Sequence, residues 1–201
     1  MRLHIQIGVI LSLMVLAVST EAASRRLILQ VEKAPVAWGD CRLIECLVAA
    51  FGRDQNLRIV TPDSQNDNYP PFPGNHYDVD SLIDWGTEIG GRYLLVISVH
   101  REVLERRKTF NIPLIFQRWE TIGIIEGEIR LLDIQKRRLL AAEPFSVERS
   151  GSRQFQAEFD NNRNDPSLHM DAIKKSKLFR ALEMRLADLL VDDFSRYTRG
   201  H

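Results

Sequence analysis

The chain has 201 residues, 44% of them hydrophobic, and its 27 Lys and Arg balance 27 Asp and Glu at a formal net charge of zero. That length is one domain's worth of chain. The balance excludes the surplus of cations with which nucleic-acid binders neutralise phosphates, and two cysteines with no Cys/His set beside them exclude a zinc site.

The chain opens with Met-Arg-Leu-His, an apolar run from Ile5 to Val18, and then Ser19-Thr20-Glu21-Ala22-Ala23. A basic start, a short apolar core and small residues at a cut site are the parts of a secretory signal. Thr20 and Ala22 occupy the small-residue positions for cleavage before Ala23, so residues 1–22 are expected to be a signal peptide and 23–201 a single α/β domain. A membrane span needs about 20 apolar residues, and Gln6 and Glu21 bracket this run too closely. A lipid-anchored bacterial protein carries a cysteine directly after its signal, whereas the first cysteine here is Cys41. The expected product is periplasmic, with its signal removed.

Leu27 to Val31 reads as a short strand with Leu27, Leu29 and Val31 on one face. Asp40 can cap a helix in which Leu43, Ile44, Leu47, Val48 and Phe51 recur at helical spacing before Gly52 ends it. Cys41 and Cys46 both fall in this helix, where five residues put their Cα atoms roughly 8 Å apart. A bridge needs about 7 Å or less, so an internal disulfide requires the helix to start after Cys41. The alternatives are core thiols and a distorted or intermolecular disulfide.

Leu57 to Val60 is the second strand. Thr61 to Asp78 is rich in Pro, Asn and Asp and without period, a long loop of the kind that is often functional. His76, Asp78 and Asp80 at alternate positions resemble a metal set, but a helix cap is needed at Asp78 or Asp80. Val79, Leu82, Ile83 and Ile89 then form the buried face of that helix, with Gly86 on the same face. After Gly90-Gly91, the nearly continuous apolar run Tyr93 to Val99 predicts a central strand covered on both sides. His100 has no Ser or Asp partner at a recognisable spacing and reads as an ordinary strand residue.

Lys108 to Phe116, KTFNIPLIF, reads as an apolar loop that touches a membrane or a partner, or else folds back over the sheet. The stretch from Arg118 to Ile134 alternates with period two, placing Trp119, Thr121, Gly123, Ile125, Gly127, Ile129 and Leu131 on one face. Glu126, Glu128 and Arg130 point the other way. Asp133 to Arg138 is a polar turn, Leu139 to Glu148 its hairpin partner, and Ser150 to Pro166 polar and irregular. From Ser167 to Tyr197 a stripe of Ile173, Leu178, Ala181, Leu182, Leu186, Leu189, Leu190 and Phe194 predicts a packed helix. The basic clusters Arg106-Arg107-Lys108 and Lys136-Arg137-Arg138 read as solvated strand ends.

The expected fold is a mixed sheet of about five strands packed by three helices, in the order β-α-β-α-β-β-β-α. At Ile89-Gly90-Gly91-Arg92-Tyr93-Leu94-Leu95-Val96-Ile97-Ser98-Val99 the chain resembles a helix, Gly-aromatic, strand segment of bacterial envelope proteins. That group holds the amino-terminal domain of TolB, the curli-secretion protein CsgG, and the lipoprotein activators of penicillin-binding proteins. The hairpin at Ile129 to Ile134 and Arg138 to Leu140 is similar to the same group's strand-turn-strand segment. The resemblance implies an adaptor or assembly role in an envelope assembly, secretion or wall-synthesis system, with a protein partner and no catalytic residue to carry over.

No cofactor and no metal ligand set is expected. The chain has no G-x-S-x-G turn, no H-E-x-x-H and no glycine-rich phosphate loop, so an exported hydrolase is the weaker class. Glu126 and Glu128 as a carboxylate pair are outweighed by their reading as a solvated strand face. A small-ligand binder built on the aromatic loop Tyr69 to Tyr77 is a third class, which a concave pocket beside that loop would favour. For a protein partner, aromatic and apolar anchors outrank charged sets, which nominates Phe72, Phe110 and Ile112 as contact residues.

Overall fold

The computed structural model describes residues 26–33, 42–62, 69–75, 77–112, 116–156 and 170–199, with side chains described outside 108–112, 116–118 and 152–156. The expected signal segment, Cys41 and His76 lie outside the described residues. Among the described residues, five strands and three helices follow one another in the expected order: β1 Arg26–Lys33, α1 Leu43–Phe51, β2 Arg58–Val60, α2 Val79–Ile89, β3 Tyr93–Ile112, β4 Phe116–Asp133, β5 Arg138–Gln156 and α3 Ala172–Arg199. The sheet order is β2-β1-β3-β4-β5. β1 is parallel to both β2 and β3, whereas β3, β4 and β5 form an antiparallel meander.

Helical layers cover both faces of the inner sheet. On one face α1 and α3 pack over Leu27, Leu29, Leu95, Ile97, Ile125 and Leu131. On the other, Leu82, Ile83, Trp85 and Ile89 of α2 pack over Ile28, Leu94, Val96 and Leu132. This is why Tyr93 to Val99 reads as a continuous apolar run: Val96 and Ile97 are 1% and 0% exposed and belong to opposite cores. Ladder pairing then propagates the same two faces across β4 and β5.

Several boundaries moved from their sequence expectations, each for a tertiary reason. Lys108 to Phe116 is mostly strand: β3 runs on to Ile112, β4 starts at Phe116, and the two remain paired to the Ile112–Phe116 rung. β5 likewise continues through the polar stretch as far as Gln156, which pairs with Gln117. Polar residues are tolerated there because the ladder supplies their backbone bonds whatever their side chains. α1 begins at Leu43, with Arg42 at its capping position. In α3, Leu178, Leu182, Leu186, Leu190 and Phe194 are buried as expected, but Ile173 and Leu189 are 68% and 46% exposed. They fall off the stripe that faces the sheet.

α2 is the best-specified element. Asp78 caps it by accepting from the Asp80 N–H at 3.2 Å, and its Oδ2 takes the Ser81 hydroxyl at 2.6 Å. These bonds hold the Asp78 carboxyl below the usual carboxylate range. Gly90 closes the helix at φ 78°, the left-handed cap that glycine adopts without a Cβ penalty. Arg137 in the basic turn also takes positive φ, 47°, and its guanidinium reaches Asp84 of α2 at 3.0 Å. The turn is therefore tied to a helix on one sheet face.

Candidate functional site

Phe72, one of the three nominated contact residues, is half-buried. Its ring meets Trp85 edge-on at 4.9 Å, and the Trp85 indole N–H donates to the Pro70 carbonyl at 3.0 Å. The loop carrying it is thus pinned to α2. Phe110 and Ile112 lie at the far end of β3, paired with Arg118 and Phe116; their side chains are outside the described ones. The structure places Phe72 on α2 and the other two at the tip of the β3–β4 hairpin, and does not bring the three together.

The second half of the meander carries a lattice of charge on the face that continues from α2. Arg101, Glu105 and Arg107 of β3, Glu126 of β4 and Glu148 of β5 share this face through the rungs Arg101–Glu126 and Ile124–Glu148. Arg107 makes a two-pronged pair with Glu148 at 2.8 and 2.9 Å, and Arg101 bridges Glu126 at 3.1 Å and Glu105. The pairing lowers the Glu148 carboxyl and raises the Arg107 guanidinium from their ordinary values, the hydrogen bonds being the main cause. Beneath them Ile122 and Ile124 are 9% and 1% exposed. Long charged side chains that lie down on an apolar row keep their heads wet while their stems exclude water, so Glu126 is a member of an ion-pair face, as its strand position suggested.

A cleft of about 860 Å³ opens at the opposite end of the molecule, where α1 and α3 finish and β3 begins. Its floor is aromatic: Phe194 stands edge-on to both Phe51 and Tyr93, with centroids 5.4 and 5.5 Å apart. Leu57 and Val191 add half-buried apolar wall. The polar lining includes Arg53, Arg92, Arg199, Asp54 and Asp192. Arg92 is half-buried, and its guanidinium lies 5.1 Å from the centroid of the Tyr93 ring. This concavity lies on the α1–α3 side, not beside the Tyr69–Tyr77 loop. Sequence reasoning missed it because its lining comes from three distant segments, and the one local signal was the Gly-Arg-Tyr start of β3.

Among the described residues, no group of three or more His, Cys, Asp and Glu is placed to hold a metal ion, and no helix is long and apolar enough to cross a membrane.

No protein-family model matches the chain, and no curated protein does. Solved structures similar to it include bacterial lipoproteins. One is a minor lipoprotein from Acinetobacter baumannii, at 14% identity over 86% of this chain and 94% of that one, with a TM-score of 0.42. Another is lipoprotein GNA1162 from Neisseria meningitidis, at 12% identity over 86% and 99%, TM-score 0.40. A third is rare lipoprotein B from Shewanella oneidensis, at 14% identity over 86% and 97%, TM-score 0.38. Likenesses this slight leave function to be argued from the chain's own residues.

Proposed function

We propose that this is an exported protein of the bacterial cell envelope that works by binding another protein and carries out no catalysis, in an assembly, secretion or wall-synthesis system. The observation that carries the reading is the length of the β3–β4 ladder. The pairing of β1 with β3 ends at the Lys33–Val99 rung, but β3 and β4 stay paired through Ile112–Phe116. An arm in which β3 and β4 run on beyond β1, flanked by β5 out to the Gln117–Gln156 rung, and which bears Phe110, Ile112 and Phe116 at its end, is a costly way to build a turn and a good way to present apolar anchors. The signal-like segment at residues 1–22 and the resemblance to TolB, CsgG and the penicillin-binding-protein activators support the envelope setting and the adaptor role.

The test is to express the tagged full chain in a Gram-negative host, fractionate it, and determine its amino terminus by mass spectrometry. A start near Ala23 in the periplasmic fraction is expected, and an intact Met1–Ala22 segment held in the membrane would overturn the export reading. Cross-linking and recovery of partners from envelope extract, with Phe110→Ser and Ile112→Ser beside the parent, tests the binding arm. Stable variants that recover the same proteins as the parent would remove it.

A further inference from the structure

We infer that the end of the sheet opposite the arm is a contact surface for an anionic bilayer, the phosphate head groups of acidic phospholipids being its partner. This goes beyond the partner-binding arm. The surface is a row of cations that the ladder assembles from distant segments. Arg26 opens β1 and stands directly opposite Arg58, which opens β2. The next rung, Leu27–Tyr93, puts Arg92 beside Arg26. Tyr93 pairs in turn with Asp133, and Asp133 with Arg138 at the start of β5. Lys136 and Arg137 lie in the turn between those two strands. The row crosses the sheet over about 20 Å, four strand spacings of roughly 4.8 Å. Arg92 is already engaged within the protein, and the surface does not need its guanidinium.

Like charges directly opposite on a sheet repel, and among the described residues none of Arg26, Arg58 and Arg138 has an ion-pair partner. One of them has a local cause: a Cβ placed on Gly90 would lie 3.4 Å from Nη1 of Arg26, so that guanidinium sits at the carbonyl end of α2, which draws a cation. That end accounts for one arginine and not for the row. The acids of this region are committed or outnumbered. Buried Asp133 accepts the Lys136 N–H at 3.0 Å, and Asp84 pairs with Arg137 at 3.0 Å. Asp54, accepting the Asn56 N–H in its own turn, and Glu88 are left against Arg26, Arg58, Lys136 and Arg138. A protein partner calls for a cluster of apolar anchors, whereas the apolar side chain exposed in this row is Leu139, at 38%. A bilayer supplies a plane of phosphates and needs no such cluster. Seated on that plane, the sheet holds the arm away from it: β3 is 20 residues long and carries its far end roughly 60 Å off.

The experiment is co-sedimentation of the purified protein, expressed from the full chain, with phosphatidylcholine vesicles that contain or lack phosphatidylglycerol. Stronger binding to the phosphatidylglycerol vesicles is expected, and it is expected to fall as salt shortens the screening length from about 10 Å at 0.1 M to about 3 Å at 1 M. Arg58→Gln and Arg138→Gln are each expected to lower the partition coefficient roughly fivefold, the effect of one cation at an anionic surface, and the triple variant with Arg26→Gln to bind both vesicles alike. Melting temperatures report folding. If the triple variant does not fold, Arg58→Gln at its exposed position and the salt dependence of the parent decide. Arg180→Gln on α3 and Phe110→Ser on the arm are expected to bind like the parent, so failure of the arm as a partner site leaves this result unchanged. A retained apolar segment at residues 1–22 would bind both kinds of vesicle and be indifferent to the arginines. Equal binding to the two vesicles, folded arginine variants that bind like the parent, or binding lost in Phe110→Ser would overturn the inference. So would arginine-dependent binding of polyglutamate by a protein that ignores the vesicles, which would make the partner an acidic protein.

Discussion

A Cβ placed on Gly86 would lie 2.7 Å from Cδ1 and 3.1 Å from Cγ1 of Ile134, so α2 rests against the end of the sheet at a distance only glycine permits. Ile134 is 5% exposed and has little room to turn away. Alanine would gain about 1 kcal/mol in helix propensity but overpack the contact by about 1–3 kcal/mol. Gly86→Ala is therefore expected to destabilise the protein slightly in urea unfolding. In an Ile134→Ala background the clash is gone, and the same change is expected to stabilise by about 1 kcal/mol. A double-mutant cycle with no coupling between the two sites would show that helix and sheet do not meet here.

Val96 and Ile97 are adjacent in sequence and belong to different cores. Truncating Ile97 to Ala removes atoms from the α1–α3 layer and is expected to cost about 2–5 kcal/mol. Val96→Ala, which removes less from the α2 layer, is expected to cost about 1–3 kcal/mol. Equilibrium denaturation measures both, and a variant that unfolds at the parent's midpoint would place its side chain outside the core.

The Arg107–Glu148 pair predicts a dependence on acid. Glu148 titrates below its ordinary value because Arg107 hydrogen-bonds and attracts its charged form. Its contribution is thus fully present above the unfolded carboxylate range and is lost as pH falls through the lowered folded value. Arg107→Met is expected to melt below the parent at neutral pH, and the gap is expected to close in acid and to shrink in high salt, since both side chains are exposed. A gap that widens as the pH is lowered would contradict the pairing.

Phe72 holds its loop through the Trp85 ring. Phe72→Ala is expected to lose about 0.5–1.5 kcal/mol from the ring pair alone, read as a lower denaturation midpoint together with a change in Trp85 fluorescence. If partner recovery falls while stability is unchanged, Phe72 is a contact residue only. If both fall, its hold on the loop accounts for the lost recovery.

Much of the fold is written locally. Period two in Arg118 to Ile134, the 3.6-residue stripe of α3, the Asp78 cap and the Gly90-Gly91 stop each depend on residues within a few positions of one another, which is why element order and both faces of β3 were legible. The sequence also placed Gly86 on the packed face, because helical phase alone puts it in line with Leu82, Ile83 and Ile89. Tertiary structure decided what depends on distant partners. The parallel insertion of β1 between β2 and β3 and the extension of β3, β4 and β5 through polar residues are set by ladder pairing, which uses backbone groups common to all residues. The same holds for the Arg107–Glu148 and Arg137–Asp84 pairs, whose partners are 41 and 53 residues apart. It holds most of all for the cleft, where Phe51, Arg92 and Phe194 meet only because two helix ends and a strand start converge. No local period records that convergence.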